Sequence, residues 1–149
     1  GYDIKLDTNG SFPDKLEEAI EQGLIDFVSM DIKSSKEKYD DVSKADVIGK
    51  IEKSIRLIHN AYEQGKIDYE FRTTILEDIH TIEDMQKMME WIYSLLNGRK
   101  MKRYALQGFK NSGKTIDESY QDKTDTTDEH LNTLKDIAKE YAEHVEVRS

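Results

Sequence analysis

Charged and hydroxyl-bearing residues stand at the ends of several short segments of this sequence, where a buried core would not accept them. Two carboxylates, an ammonium and a guanidinium can together bind a zwitterionic ligand or a cation, because each charged group finds an opposite one. The same residue types also form structural salt-bridge networks, and the residues alone leave both interpretations open. The residues concerned are Asp7, Thr8 and Asn9, Asp31 and Lys33, and Arg72 with Thr73 and Thr74.

The segments that carry these residues alternate in type along the chain. Runs rich in β-branched and aromatic residues predict strands near 4–9, 26–33, 68–75 and 102–107, with a final edge strand at 144–148. Apolar spacing predicts four helices, the first beginning at Pro13 and the other three capped by Asp46, Thr81 and Asp128. Strands that alternate with helices favour a mostly parallel sheet with crossovers, so we expect an α/β fold in a single domain spanning 1–149.

The carboxyl ends of parallel strands meet at one edge of a sheet or barrel, and ligands bind there. The polar residues at the ends of three predicted strands are therefore expected to converge on one rim. Asp31 and Lys33 lie two positions apart and would share one face of their strand.

Composition excludes several classes of function. The formal net charge is −9, with 31 acidic and 22 basic residues, so the protein would repel phosphate backbones and anionic membrane surfaces. The sequence has no apolar run of membrane-spanning length and no signal-peptide pattern near its start, so a cytoplasmic location is expected. The chain has no cysteine, which excludes disulfides, cysteine nucleophiles and cysteine-ligated iron-sulfur clusters within it.

Three long motifs resemble one enzyme family in the same order along the chain. They are KLDTNGSFPDKLEEAIEQGLIDFVSMDIKSSKEKYD, DYEFRTTILEDIHTIEDM and YALQGFKNSGKTIDESY. Together they resemble the radical S-adenosylmethionine (SAM) activating proteins of anaerobic ribonucleoside-triphosphate reductase and, more distantly, the pyruvate formate-lyase activating enzymes. The resemblance covers nearly the whole chain. It implies a partial TIM-like (β/α) barrel of the radical SAM type, beginning at the family's third strand.

The resemblance also implies an activity, cofactors and partners. A full-length family member is an oxidoreductase that uses SAM and a 4Fe-4S cluster to generate a 5′-deoxyadenosyl radical, which installs a glycyl radical on a partner. The partner would be a glycyl-radical enzyme such as anaerobic ribonucleotide reductase, and the electron donor flavodoxin or ferredoxin. The family's three-cysteine cluster motif and its glycine-rich SAM-amine motif do not occur here, so this chain alone is expected to be inactive.

The resemblance assigns residues to the SAM site by motif. Asp7, Thr8 and Asn9 match the family's DTNG positions, and Asp31 and Lys33 match its D-x-K strand end. These positions are associated with the SAM carboxylate and, at Asp7, Thr8 and Asp31, with a monovalent cation. Further along the chain, Arg72 matches an arginine near the nucleoside, and Gln107 and Phe109 match an L-Q-x-F strand end. The sequence departs from many relatives in having Leu76, Glu77 and Asp78 where they have a proline.

The sequence contains one pattern that is typical of phosphate-binding loops. Residues 108–115, GFKNSGKT, match the P-loop pattern and follow a predicted strand. A P-loop opens a helix, however, and the acidic segment that follows lacks helical apolar spacing. We therefore interpret residues 110–128 as a long exposed loop.

The four histidines show no metal-ligand spacing. For His80 we expect a surface or capping role rather than catalysis, and His59, His130 and His144 are expected to face solvent.

A second hypothesis comes from a different class of protein. The chain could be a non-catalytic α/β binding or interaction domain whose charged rim is only a salt-bridge network. An incomplete barrel would also leave a strand edge unpaired, which favours self-association.

Overall fold

The computed structural model describes residues 4–44, 46–110 and 125–148. Its strands are β1 (Lys5–Thr8), β2 (Phe27–Asp31), β3 (Asp68–Ile75), β4 (Met101–Gly108) and β5 (Ala142–Arg148). The helices are α1 (Pro13–Glu21), α2 (Tyr39–Ser43), α3 (Ile48–Glu63), α4 (Ile82–Leu95) and α5 (Asp128–Ala138), with a short 3₁₀ turn at Lys36–Lys38 before α2.

The five strands form one sheet in the order β1-β2-β3-β4-β5, and every neighbouring pair is parallel. Sequential parallel strands need a crossover between them, and a helix lies in each of the four connections. The α/β fold class and the mostly parallel sheet predicted from the sequence are confirmed. The segment predicted as an edge strand is β5, which pairs with β4 at one end of the sheet.

The two faces of the sheet differ sharply in chemistry. Side chains such as Val28, Tyr69, Phe71 and Leu106 belong to one buried cluster together with apolar residues of α1, α3, α4 and α5. Successive side chains of a strand point to opposite faces, so the alternate residues share the other side. We call that side the polar face. Its polar members are Lys5, Asp7, Ser29, Asp31, Asp68, Glu70, Arg72, Thr74, Arg103, Gln107, His144, Glu146 and Arg148.

Local signals predicted where the helices begin more closely than which residues cap them. Helix α1 begins at Pro13 as expected, and the Thr81 hydroxyl accepts a hydrogen bond from the Asp84 N–H at the start of α4. The prediction that Asp46 caps α3 and Asp128 caps α5 is wrong. The residue before α3 is Val47, which has no side-chain cap bond, and the cap of α5 is Thr127, which accepts from the His130 N–H.

One short segment of the fold has no counterpart among the predicted elements. The turn and short helix at 36–43 had no apolar periodicity and were not predicted. Residues 111–124, most of the expected loop and part of the P-loop pattern, are outside the described part of the chain. Among the described residues, no helix is both long and apolar enough to cross a membrane.

Candidate functional site

The end of β1 places one acidic side chain on the polar face. Asp7 faces that side, and the next residue along the strand, Thr8, turns toward the helices. The Thr8 hydroxyl accepts the Gly10 N–H at 3.0 Å, and the Asn9 side-chain oxygen accepts the Ser11 N–H at 3.0 Å. Thr8 and Asn9 therefore shape the turn, and Asp7 alone of the three presents its charge to the polar face. Their predicted roles in ligand binding stay predictions.

Gly10 is required by the backbone of this turn. Its φ of +77° lies in the left-handed region, and an added Cβ would overlap the methyl group of Met30. The Ser54 hydroxyl of α3 donates to the Gly10 carbonyl at 2.7 Å. Helix α3 thus fixes the turn that follows the strand carrying Asp7.

Arg72 joins the first three strands at their carboxyl ends. It pairs in register with Asp31 on β2, and its guanidinium reaches across β2 to lie 3.5 Å from the Asp7 carboxylate. The Arg72 side chain is one-third exposed and that of Asp7 two-thirds exposed. Both charged groups are therefore within reach of a ligand from solvent.

Lys33 follows β2 and pairs with a carboxylate of the same strand. Its ammonium forms an ion pair with Asp31, and its side chain is 39% exposed whereas that of Asp31 is 16% exposed. Two carboxylates, a guanidinium and an ammonium thus lie at one rim, as the strand-end argument predicted for Asp7, Asp31, Lys33 and Arg72. Such a set can bind a zwitterionic amino-acid group.

The two predicted residues of β4 differ in their surroundings. Gln107 lies on the polar face, in register with Thr74 on β3 and Arg148 on β5. Phe109 comes just after the strand and is buried, and its N–H donates to the Thr126 hydroxyl at 3.1 Å. Gln107 can reach a ligand on the polar face, whereas Phe109 packs behind the rim.

A buried ion pair on the polar face was missed by the sequence analysis. The Glu70 carboxylate, 5% exposed, accepts two hydrogen bonds from the Arg148 guanidinium at 3.2 and 2.7 Å and one from the Ser29 hydroxyl at 3.0 Å. Burial by itself would raise the pKa of Glu70, but the bonds from Arg148 and Ser29 outweigh it and hold the pKa below its usual value. The signal was available in β3, where Glu70 stands two positions before Arg72 and so shares its face.

His80 is buried and joins two loops of the rim. Its Nδ1 accepts the Leu76 N–H at 2.9 Å, and its Nε2 lies 2.7 Å from the Lys33 carbonyl oxygen. Burial lowers the pKa of His80. The surface role expected for it is wrong, because the side chain is almost fully enclosed, and the side chain that caps α4 is that of Thr81 rather than His80.

The other histidines were expected to face solvent, and His59 does not. It is buried against the Tyr69 hydroxyl, 2.7 Å from Nδ1, with the Glu63 carboxylate 2.7 Å from Nε2. His144 is exposed, and His130 is partly buried with its Nε2 at 2.7 Å from the His80 carbonyl oxygen. No three His, Asp or Glu side chains of the described ranges come together as a metal site.

Comparisons with known proteins bear on what this rim does. A curated protein of Methanocaldococcus jannaschii, "Putative glycyl-radical enzyme activating enzyme", is 29% identical over 150 aligned positions, which include all of this chain. The chain is similar to a glycyl-radical enzyme activating enzyme. It spans 60% of that relative's length. No protein-family model matches the chain.

A solved structure shows the same fold. A domain of pyruvate-formate lyase-activating enzyme from Bacteroides vulgatus superposes with a TM-score of 0.66, over 95% of this chain and 80% of that one. The sequence identity is 14%, so the likeness concerns the fold alone. The five-stranded parallel sheet with alternating helices matches the activating-enzyme domain, as the resemblance implied.

Proposed function

We propose that this chain is the back portion of a radical SAM glycyl-radical activating enzyme, and that its rim binds the amino-acid end of SAM. One observation carries the proposal. Charged residues of three adjacent strands meet at the carboxyl edge of the sheet, in a chain similar along its whole length to an activating enzyme. The carboxyl edge of a parallel sheet is where such folds bind their ligands.

The charges of the rim suit this ligand. Lys33 neutralises the SAM carboxylate, which would otherwise lose its hydration without a partner. Asp7 and Asp31 would hold a monovalent cation beside that carboxylate, whereas the Thr8 hydroxyl, which the family motif also assigns to the cation, accepts the Gly10 N–H and faces the helices. Arg72 and Gln107 would contact the nucleoside end of SAM, with the buried Phe109 packed behind them after β4. When bound, SAM supplies the adenosyl carbon on which radical chemistry begins.

The iron-sulfur cluster does not fit this chain. Such clusters are held by cysteine thiolates, and the chain has none. We therefore propose that the chain by itself binds SAM without cleaving it. The 4Fe-4S cluster would belong to the part of the full-length oxidoreductase that this chain does not contain.

The partners follow from the proposed activity. The full-length protein acts on a glycyl-radical enzyme, which we take to be anaerobic ribonucleoside-triphosphate reductase, and receives electrons from flavodoxin or ferredoxin in the cytoplasm. In the described part of the chain, β1 pairs with a strand on one side only. We propose that this edge also allows the chain to self-associate.

A purely structural network explains the rim less well than a binding site does. The Asp7–Arg72 pair is well exposed, and exposed ion pairs contribute only about 0–1 kcal/mol to stability. A site for a zwitterion, by contrast, needs charges that a ligand can reach.

Calorimetric titration of the chain with SAM tests the proposal. Lys33→Ala is expected to weaken SAM binding by at least about tenfold, as expected for loss of a charge-assisted contact, without a change in thermal unfolding. Lys53→Ala is the matched control, because Lys53 is also a half-exposed lysine paired with an aspartate, Asp14, outside the polar face. Equal affinity of the Lys33→Ala variant and the original chain, or no binding by the original chain, would contradict the proposal.

A further inference from the structure

The backbone of Lys33 is hydrogen-bonded on both sides by buried side chains. The Lys33 N–H donates to the Tyr39 hydroxyl at 3.2 Å. On the other side, the Lys33 carbonyl oxygen lies 2.7 Å from Nε2 of His80. Tyr39 and His80 are each only 1% exposed.

The partners of His80 determine its tautomer. Since Nδ1 accepts the Leu76 N–H, that nitrogen carries no proton in the neutral ring. The proton therefore lies on Nε2, which donates to the Lys33 carbonyl. The neutral ring uses both nitrogens, and it links the loop after β3 to the loop after β2.

Tyr39 is itself held in place by the helices behind it. Its ring packs edge-on against Trp91 of α4, with 5.8 Å between the ring centroids. The Trp91 indole N–H in turn donates to the Glu52 carboxylate of α3 at 2.7 Å. The hydroxyl that receives the Lys33 N–H is thus fixed by two helices.

Other contacts tie the rest of this loop to the same place. The Ser35 hydroxyl donates to the Asp84 carboxylate at 2.6 Å, and the Lys38 ammonium donates to the Ile79 carbonyl at 3.0 Å. Both partners lie in or next to α4. The loop that carries Lys33 is therefore attached to α4 at successive points, although only Lys33 directs its charge to the rim.

We propose that His80 and Tyr39 are positioning residues that hold the Lys33 backbone so that its ammonium meets the carboxylate of a sulfonium amino-acid ligand. The proposal rests on the proposed function and adds residues to that site. A lysine side chain has four rotatable bonds, so a fixed backbone removes much of the freedom that binding would otherwise have to restrict. Neither residue touches the ligand.

Two substitutions at His80 separate its two hydrogen bonds. His80→Asn keeps an acceptor near Nδ1 for Leu76 but does not reach the Lys33 carbonyl, whereas the longer amide of His80→Gln can place a donor near Nε2. We expect His80→Asn to weaken SAM binding about five- to tenfold, the effect of one hydrogen bond. His80→Gln is expected to restore most of that affinity.

Tyr39→Phe removes the second bond and has a matched control. We expect about a threefold to tenfold weaker affinity for SAM. Tyr69 is equally buried and its hydroxyl also accepts a backbone N–H, that of Lys102 at 2.9 Å, but at the opposite end of the sheet. Tyr69→Phe should therefore lower the unfolding temperature without changing SAM affinity.

Calorimetric titration with SAM and thermal unfolding of all four variants distinguish the outcomes. If the original chain binds SAM and both His80→Asn and Tyr39→Phe bind it equally well, the positioning role is refuted while the proposed function stands. The positioning role is also refuted if His80→Gln binds SAM as weakly as His80→Asn does. Failure of the original chain to bind SAM would instead refute the proposed function, and the positioning role with it.

Discussion

The guanidinium of Arg72 lies 3.5 Å from the carboxylate of Asp7, across the intervening strand β2 and 65 positions away in the sequence. Both side chains remain accessible, so this contact contributes little to the free energy of unfolding. The contact instead holds two opposite charges at a fixed place on the rim. A substitution there should therefore change ligand affinity much more than the free energy of unfolding.

Asp7→Asn tests this separation. We expect the free energy of unfolding to change by less than about 1 kcal/mol, because the pair is exposed, while SAM affinity falls at least about fivefold with the loss of a charge at the site. Urea unfolding and calorimetric titration measure the two quantities. Asp14→Asn, which breaks the exposed Asp14–Lys53 pair of 2.8 Å, should leave SAM affinity unchanged. A large loss of stability in Asp7→Asn without a loss of affinity would favour the structural network.

Glu70→Gln is expected to reduce stability in a pH-dependent way. The pKa of Glu70 is lower in the folded protein than its ordinary value of 4.5, so its charge stabilises the fold above about pH 4.5 and this contribution is lost as the pH falls through the folded value. We expect a cost of about 1–3 kcal/mol at pH 7 and a smaller one near pH 3.

The exposed partner of Arg148 provides the control for that measurement. The Glu146 carboxylate lies 3.0 Å from the same guanidinium but is 63% exposed, so Glu146→Gln should cost much less at pH 7. Urea unfolding at a series of pH values gives both curves. A Glu70→Gln curve parallel to that of the original chain would mean that Glu70 is not the group responsible.

The rim could be predicted from the sequence because the carboxyl ends of parallel strands share one edge, which brings Asp7, Asp31 and Arg72 together. Side chains also alternate between the two faces of each strand, but that these three residues share one face follows from the register between strands. The same alternation places Thr8 on the face opposite Asp7. The family motif assigns Asp7, Thr8 and Asn9 to one ligand, although the Thr8 and Asn9 side chains bond within the turn.

Other features depend on contacts between distant residues. His59 of α3 can be buried because its Nδ1 is hydrogen-bonded to the hydroxyl of Tyr69 on β3. Arg148 meets Glu70 across 78 positions. The amphipathic pattern of a helix places a histidine on one face, but it does not show which tyrosine or carboxylate will meet it there. Such partners emerge only when the sheet is assembled.

Gly10→Ala tests whether the turn after β1 needs glycine for its backbone, its space or both. Gly10 and Gly65 have similar φ values of +77° and +75°, but a Cβ on Gly65 would meet nothing within 4 Å. Gly65→Ala should therefore cost about 1–2 kcal/mol from the left-handed backbone alone. Gly10→Ala should cost a further 1 kcal/mol, roughly, because Met30 must move. Urea unfolding measures both, and equal costs would show that Met30 adapts freely.

His80 is expected to make stability depend on pH between about 5 and 7. Burial lowers the pKa of His80 below its ordinary value of 6.5, and the nearby Lys38 charge lowers it further. The bond to the Lys33 carbonyl and the nearby Asp84 carboxylate raise the pKa, but they do not outweigh burial. Below about pH 6.5, His80 therefore binds a proton more readily in the unfolded chain than in the folded protein. The free energy of unfolding falls as the pH drops below that value. Each unit of pKa difference corresponds to about 1.4 kcal/mol.

Replacing His80 should remove this part of the pH dependence, because glutamine does not titrate. We expect the free energy of unfolding of His80→Gln, measured in urea from pH 7 to pH 5, to change less than that of the original chain. His144→Gln removes an exposed histidine of the polar face and serves as the control, with a slope like that of the original chain. If His80→Gln also keeps that slope, the folded protein accepts a proton on His80, and the Leu76 N–H cannot be bonded to a bare Nδ1.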